Sequence, residues 1–266
     1  MNIASIKRKA TAAVSPLARM LLNVGVDPRR IKTLRHYPNY HAQARQFRKL
    51  GGNITHRFPI LSDFDAQAGT ASGHYFHQDL LVASFIHKRN PERHIDIGSR
   101  IDGFVAHVAS FRNIEIMDIR TLGDVGHPNI SFIKADLMDG QGIQSEMADS
   151  ISCLHAIEHF GLGRYGDPLD PNGHLKGLSN IIRMLKPGGS LYISFPIART
   201  NEVHFNAHRV FAPKDILGWT QDGSSLKLRR FDFVDDQGNL HQEVDLRAVE
   251  INVSYGCGIY TFEKLR

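Results

Sequence analysis

Cysteine is scarce: Cys153 and Cys257 are the only two in 266 residues. Two thiols cannot build a disulfide framework or a multi-cysteine metal site, and no metal ligands are expected from them. Cys153 lies in an apolar run and reads as inert packing. Such usage fits a reducing compartment, so a cytoplasmic location is expected. Long apolar runs are missing too, and nothing approaches the roughly 18–20 residues that span a bilayer. The start, MNIASIKRKATAAVSPLARMLLNVGV, sets a basic cluster before an apolar stretch. Pro16 and Arg19 interrupt that stretch and no cleavage pattern follows, so export is not expected. Asn53-Ile-Thr, Asn129-Ile-Ser and Asn252-Val-Ser then read as chance matches to a glycosylation acceptor. Internal repeats and low-complexity segments are absent. The length suffices for a sizeable core without staples, in one α/β domain with an extension.

Acid is scarce in one region. Residues 1–52 hold 11 Lys/Arg and one acid, Asp27, whereas 53–266 hold 21 Lys/Arg and 26 acids. The net charge of +5 therefore belongs to an N-terminal arm. Such an arm suits an anionic membrane surface or a phosphate-bearing substrate, or it is a solvated helical extension. A nucleic-acid partner is disfavoured, because the larger part is net acidic and lacks an aromatic-basic RNA signature. The expected place is the cytoplasm, including the inner face of the membrane. A basic helical extension is expected over 1–72, with helices near 16–25, 28–35 and 40–50. Asp27-Pro28 reads as N-cap and first helical position, and Gly51-Gly52 closes the last helix. Residues 53–72 read as a loop.

From 73 to 266 the pattern changes. YFHQDLLVASFIHKR has helical spacing through Leu80, Leu81, Ala83, Phe85 and Ile86. Strand-type runs follow at 94–97, 114–119, 130–134, 150–154 and 190–195, with helix-like segments at 103–111 and 173–186. That alternation implies parallel strands joined by right-handed crossovers. Strands are also expected from 231 and over 256–265.

Glycine is short where a dinucleotide site needs it. In HIDIGSRIDGF (94–104), Arg100 and Asp102 stand where the second and third glycines of that fingerprint belong. A pyrophosphate needs bare backbone at a helix N-terminus, and Asp96 and Asp102 would repel it. A sulfonium nucleoside has no phosphate; Gly98 alone gives its close approach, and acids beside its positive centre are favourable. Asp118 ends the next strand, where an acid accepts ribose hydroxyls. Asp136 ends the third, placed to accept an adenine amino hydrogen, with Leu137 against the ring.

Together, DIG at 96–98, Asp118, ADL at 135–137, HAIEH and RMLKPGGSLYIS at 183–194 resemble the class I S-adenosylmethionine-dependent methyltransferases. The whole chain, including YFHQDLL and GLGRYGDP, resembles a bacterial group of uncharacterised methyltransferase-like proteins. The resemblance implies a Rossmann-like class I methyltransferase fold: a seven-stranded mixed sheet with helices on both faces. It implies S-adenosyl-L-methionine as cofactor, held by Asp96, Gly98, Ser99, Asp118, Ile119, Asp136, Leu137 and His155. RMLKPGG is expected to end a helix at Lys186 and turn into the fifth strand.

His155, Glu158 and His159 also match the inverted zinc-peptidase pattern H-x-x-E-H, which needs both histidines on one helix face. A strand runs into His155 and glycines follow at 161 and 163, so zinc hydrolysis is disfavoured. In the methyltransferase reading, His159 or His208 serves as base and Glu158 faces the cleft. His204 is a further candidate. Arg164 and Arg209 are expected to hold a phosphate or carboxylate, and Gln78 to reach the cofactor or merely belong to a covering helix. The expected reaction is O-methylation of a sugar or glycoconjugate hydroxyl, with polysaccharide biosynthesis as its setting. The alternatives are a non-catalytic S-adenosylmethionine-binding protein of the same fold and an RNA methyltransferase.

Overall fold

The computed structural model describes residues 28–124, 126–219 and 226–265. The chain forms two compact units, Met1–Thr70 and Ala71–Arg266. The helix expected near 16–25 lies outside the described residues.

In the first unit a 3-10 helix, Pro28–His36, runs into helix α1, Tyr37–Lys49. Gly51 follows at φ 91°, the left-handed conformation that ends a helix most easily as glycine. The loop after it contains one short 3-10 turn, Ser62–Asp65. Asp65 ties loop to helix: Arg35 Nη2 donates to both its oxygens at 2.8 Å, and His36 Nε2 lies 2.9 Å away. No residue of α1 is buried.

The second unit opens with helix α2, His74–Arg89. Val82 and Ile86, four residues apart, are fully buried, and each such side chain contributes about 1.5–3 kcal/mol. The buried face differs from the expected one: Leu80 is exposed, whereas Gln78 and Asp79 are buried. The strands are β1 His94–Ile97, β2 Ile114–Asp118, β3 Ile130–Lys134, β4 Ala148–Leu154, β5 Leu185–Ile197, β8 Leu226–Val234, β9 Leu240–His241 and β10 Gly256–Lys264. They form one sheet in the order β3-β2-β1-β4-β5-β10-β8-β9. The first five are parallel. β10 runs antiparallel to both β5 and β8. Strand order reverses between β1 and β4, the switch point at which such sheets bind ligands. A separate hairpin pairs β6, Glu202–His204, with β7, His208–Val210.

Helices cover both faces. On one, Val82 and Ile86 of α2, Phe104 of the turn Ile101–Val105 and Val108 of the short helix α3, Ala106–Ala109, pack against the sheet. On the other, helix α4, Gly173–Met184, packs Leu178, Ile181 and Met184 against Ile151, Leu191 and Ile193. This is the mixed sheet with helices on both faces that the sequence leads one to expect, with one strand more than seven. The extra one is β9, two residues that pair with the end of β8.

One junction corrects the sequence reading. α4 ends at Met184, so Lys186 is already in β5. The register against β4 slips between Ala148–Leu185 and Ser150–Ser190, and Gly188 takes φ 77° there. Pro-Gly-Gly is a bulge inside a long strand, because a glycine at positive φ accommodates the extra residues without leaving the sheet.

Candidate active site

Two adjoining cavities lie at the carboxyl ends of β1, β2 and β4. A narrow slot of about 60 Å³ is lined by Ile97, Gly98, Asp118, Ile119, Asp136, Leu137 and His155, among others. An open cleft of about 680 Å³ is lined by His74, Tyr75, Ser99, Glu158, Arg164, His208 and Tyr255. Gly98, Arg120, His155, His159 and Tyr165 line both.

Gly98 ends β1 at φ 66°, and its amide donates to Met117 O at 3.0 Å. A Cβ there would stand 3.1 Å from Ala156 Cβ, so only glycine brings backbone to the slot without displacing a neighbour. Asp136 lies two residues beyond β3, and its Oδ1 accepts from Met138 N at 2.8 Å, which fixes the carboxylate in the loop. Asp118 is engaged more heavily. Arg120 grips it through its backbone amide at 2.8 Å, Nε at 2.9 Å and Nη2 at 2.5 Å. The same guanidinium lies 4.3 Å from the Tyr165 ring centroid, a cation–π contact worth about 0.5–1 kcal/mol at an exposed site. Arg120 and Tyr165 thus form part of the slot wall.

One expected cofactor contact is corrected. Asp96 is fully buried and lines neither cavity; it accepts from Ser99 N at 3.0 Å, Ser99 Oγ at 2.6 Å and Ser152 Oγ at 2.5 Å. Burial raises its pKa to about 6 despite these bonds. Its work is to hold the loop after β1. Ser99 reaches the cleft, but its hydroxyl donates to Asp96 and accepts from Leu154 N at 3.2 Å, so it ties that loop to β4. Gln78 is also buried, accepting from Ser194 Oγ at 2.6 Å, and belongs to the covering helix. Arg100 and Asp102, which break the glycine fingerprint, pair with each other at 3.0 Å.

The H-x-x-E-H stretch is not a helix. His155 follows β4 at φ 49° and a 3-10 turn covers Ile157–His159, so the two histidines do not share a helix face. Instead one carboxylate serves both rings: Glu158 Oε1 is 2.9 Å from His155 Nδ1 and 3.8 Å from His159 Nε2. His159 Nδ1 donates to Ala207 O at 2.7 Å, which leaves Nε2 as its basic atom. Burial holds His159 and His208 below the ordinary imidazole range. His208 Nε2 lies 3.3 Å from the Tyr255 hydroxyl, and burial pushes that phenol up to about 12, so it stays a donor.

His204 is exposed beside Glu202 and lines neither cavity, which removes it as a base. Arg209 is buried and donates to the carbonyls of Phe160 at 2.6 Å, Pro171 at 3.1 Å, Asp170 at 3.2 Å and Glu158 at 3.4 Å. It fastens the loop after β4 and has no fork to offer an anion. Arg164 does line the cleft, donating to Ala207 O at 2.9 Å.

Sequence reasoning missed Arg120, Tyr165, Tyr255 and His74 as site residues. GLGRYGDP is a loop gathered on Asp167, which accepts from the amides of Gly161, Gly163 and Tyr165. That loop delivers Arg164 to the cleft and Tyr165 to both cavities.

Residues 129–217 match the model of a family described as Caenorhabditis protein of unknown function, DUF268. No curated protein matches the chain in sequence. Among solved structures, 1,6-didemethyltoxoflavin-N1-methyltransferase from Burkholderia thailandensis, with bound 1,6-didemethyltoxoflavin and S-adenosylhomocysteine, is 12% identical. The match covers 71% of this chain and 79% of that one, with a TM-score of 0.49. The N-methyltransferase NodS from Bradyrhizobium japonicum WM9, in complex with S-adenosylhomocysteine, is 13% identical over 73% of this chain and 89% of that one, with a TM-score of 0.48. These are likenesses at low identity.

Proposed function

We propose that the protein binds S-adenosylmethionine in the slot and transfers its methyl group to a hydroxyl of a sugar or glycoconjugate in the adjoining cleft. The observation that carries this is the convergence at the switch point: Gly98 backbone, Asp118 and Asp136 line a slot continuous with a cleft that holds His159 and His208. Carboxylates one per strand suit a ribose and an adenine amine, and the walls of Ile97, Met117 and Leu137 suit an adenine ring.

When bound, S-adenosylmethionine supplies an electrophilic methyl group on sulfur. The chain's part is to position the acceptor and take its proton. His159 Nε2 is free to accept that proton, because Nδ1–H is committed to Ala207 O. Glu158, 3.8 Å from Nε2, stabilises the imidazolium that results. His208 and Tyr255 hold the acceptor from the other side of the cleft. Arg164 adds a positive charge that suits a phosphate-bearing, nucleotide- or lipid-linked sugar.

The basic first unit extends this reading. Over 28–52 it carries seven Lys/Arg and no acid, and Ile31, Leu34, Phe47 and Leu50 are exposed. Cationic and apolar side chains exposed together suit an anionic membrane surface, where a lipid-linked acceptor would be met. Among the described residues no helix is long and apolar enough to cross a membrane.

A second reading, binding without turnover, is favoured by one fact: Arg120 already occupies the carboxylate of Asp118. Calorimetry with S-adenosylmethionine and S-adenosylhomocysteine, followed by labelled methyl transfer to nucleotide sugars and lipid-linked sugars, separates the two. Binding with transfer is expected. Binding without transfer to any hydroxyl acceptor leaves the second reading standing, and no binding at high micromolar ligand removes both.

A further inference from the structure

Behind the cleft, three donor atoms from distant parts of the chain converge. His74, His155 and Cys257 each place a ring nitrogen or the sulfur so that all three lie within 4.8 Å of one another. His74 opens α2, His155 follows β4, and Cys257 is the second residue of β10, paired with Pro196 of β5.

His155 is prepared as a ligand. Its side chain is only 5% exposed, Nδ1 is 2.9 Å from Glu158 Oε1, and Nε2 is buried with no hydrogen-bond partner. A carboxylate on one imidazole nitrogen fixes the tautomer and turns the lone pair of the other towards a metal. A buried ring nitrogen without a partner is destabilising unless something fills the place. Cys257 is fully buried and does not line the cleft, so its sulfur is out of reach of a substrate that it could attack as a nucleophile.

We propose that His74, His155 and Cys257 hold a divalent transition metal, zinc by donor type, with its fourth position facing the acceptor cleft. Two imidazoles and a thiolate select a borderline-soft ion and exclude magnesium and calcium, which take oxygen ligands. Three protein ligands with one open position is the pattern of a catalytic rather than a structural zinc site. His74 and His155 both line the cleft, so the open position looks onto it. Zinc–nitrogen bonds of about 2.0–2.1 Å and a zinc–sulfur bond of about 2.3 Å put the donors some 3.3–3.8 Å apart, so the cluster contracts by about 1 Å on binding. The two rings are now nearly parallel, at 10° and 5.4 Å, and the half-buried His74 ring is the one that turns. On binding, the Cys257 S–H bond breaks, a sulfur–metal bond forms, and the proton leaves to solvent.

This is not the H-x-x-E-H arrangement. His159 is no ligand here, and Glu158 acts by orienting His155. The inference does not depend on methyl transfer, and its test reads metal rather than turnover.

The full chain is stripped with chelator and titrated with zinc by calorimetry and with cobalt by absorption. One equivalent of zinc is expected, together with a thiolate-to-cobalt charge-transfer band in the near ultraviolet. Cys257→Ser should abolish the band, and Glu158→Gln should weaken zinc binding about 10–100-fold. His204→Ala, at an exposed histidine, should change neither. If Cys257→Ser does not fold by circular dichroism, His74→Ala serves, with at least a tenfold loss of zinc affinity expected. Absence of the cobalt band, or zinc binding undiminished in folded Cys257→Ser or in His74→Ala, would overturn the proposal.

Discussion

Asp96→Asn gives the most quantitative check on how the site is built. The Asp96 carboxyl is fully buried, and burial raises its pKa from 3.8 to about 6, with Asp79 adding to the rise. The folded value lies above the unfolded one, so the protonated form stabilises the fold. That stability is complete below pH 3.8 and is lost as pH rises to about 6. The full loss is (6 − 3.8) × 1.36, about 3 kcal/mol, of which about 2 kcal/mol falls between pH 4.5 and 7.5. Asparagine does not ionise, so this dependence vanishes, while the Ser99 and Ser152 hydroxyls rotate to accept from the amide. Urea denaturation of both proteins across this range supplies the difference, in which the titrating groups not coupled to Asp96 cancel. The advantage of Asp96→Asn should grow by about 2 kcal/mol from pH 4.5 to 7.5. Parallel stability curves would show that Asp96 ionises normally and is not sealed behind the loop.

The remaining expectations concern the slot, the cleft and the first unit. Arg120→Ala frees Asp118 and should tighten S-adenosylmethionine binding several-fold by calorimetry, whereas Asp118→Ala should weaken it about tenfold; a weaker Arg120→Ala would make Arg120 a ligand contact instead of a cover. His159→Ala should lower kcat about 10²–10⁴-fold with cofactor affinity unchanged, and His208→Ala should lower it less. The base must be deprotonated and burial holds both rings low, so the acidic limb of the kcat profile should lie below pH 6.5; a limb above 6.5 removes both as the base. The full chain should sediment with vesicles containing anionic lipid and be released by salt, with no binding to neutral vesicles. Equal binding to both vesicle types would remove the electrostatic reading of the first unit.

Much of the frame was legible because its signals are local. The four residues of β1 and the end of β2 at Asp118 follow from short apolar runs, whereas β3 stops at Lys134, two residues before the expected Asp136. Gly98 was legible because positive φ at a close approach is a glycine property. Arg209 was misread, since an arginine beside a histidine looks the same whether it faces a cleft or four backbone carbonyls. Asp96 was misread for the same reason: a strand-terminal acid in sequence does not say whether it faces the ligand or turns inward to serine hydroxyls. Arg120 sits two residues from Asp118, yet only the turn after β2 folds it back onto that carboxylate.

The sequence by itself determined the parallel α/β framework, the switch-point loop and the uneven charge, because periodicity, turn chemistry and composition act over a few residues at a time. Only the tertiary structure decided which polar side chains face the cavities and which are sealed behind them. It alone brought His74, His155 and Cys257 together, because donors on a helix start, a strand end and the last strand meet only when the sheet is assembled.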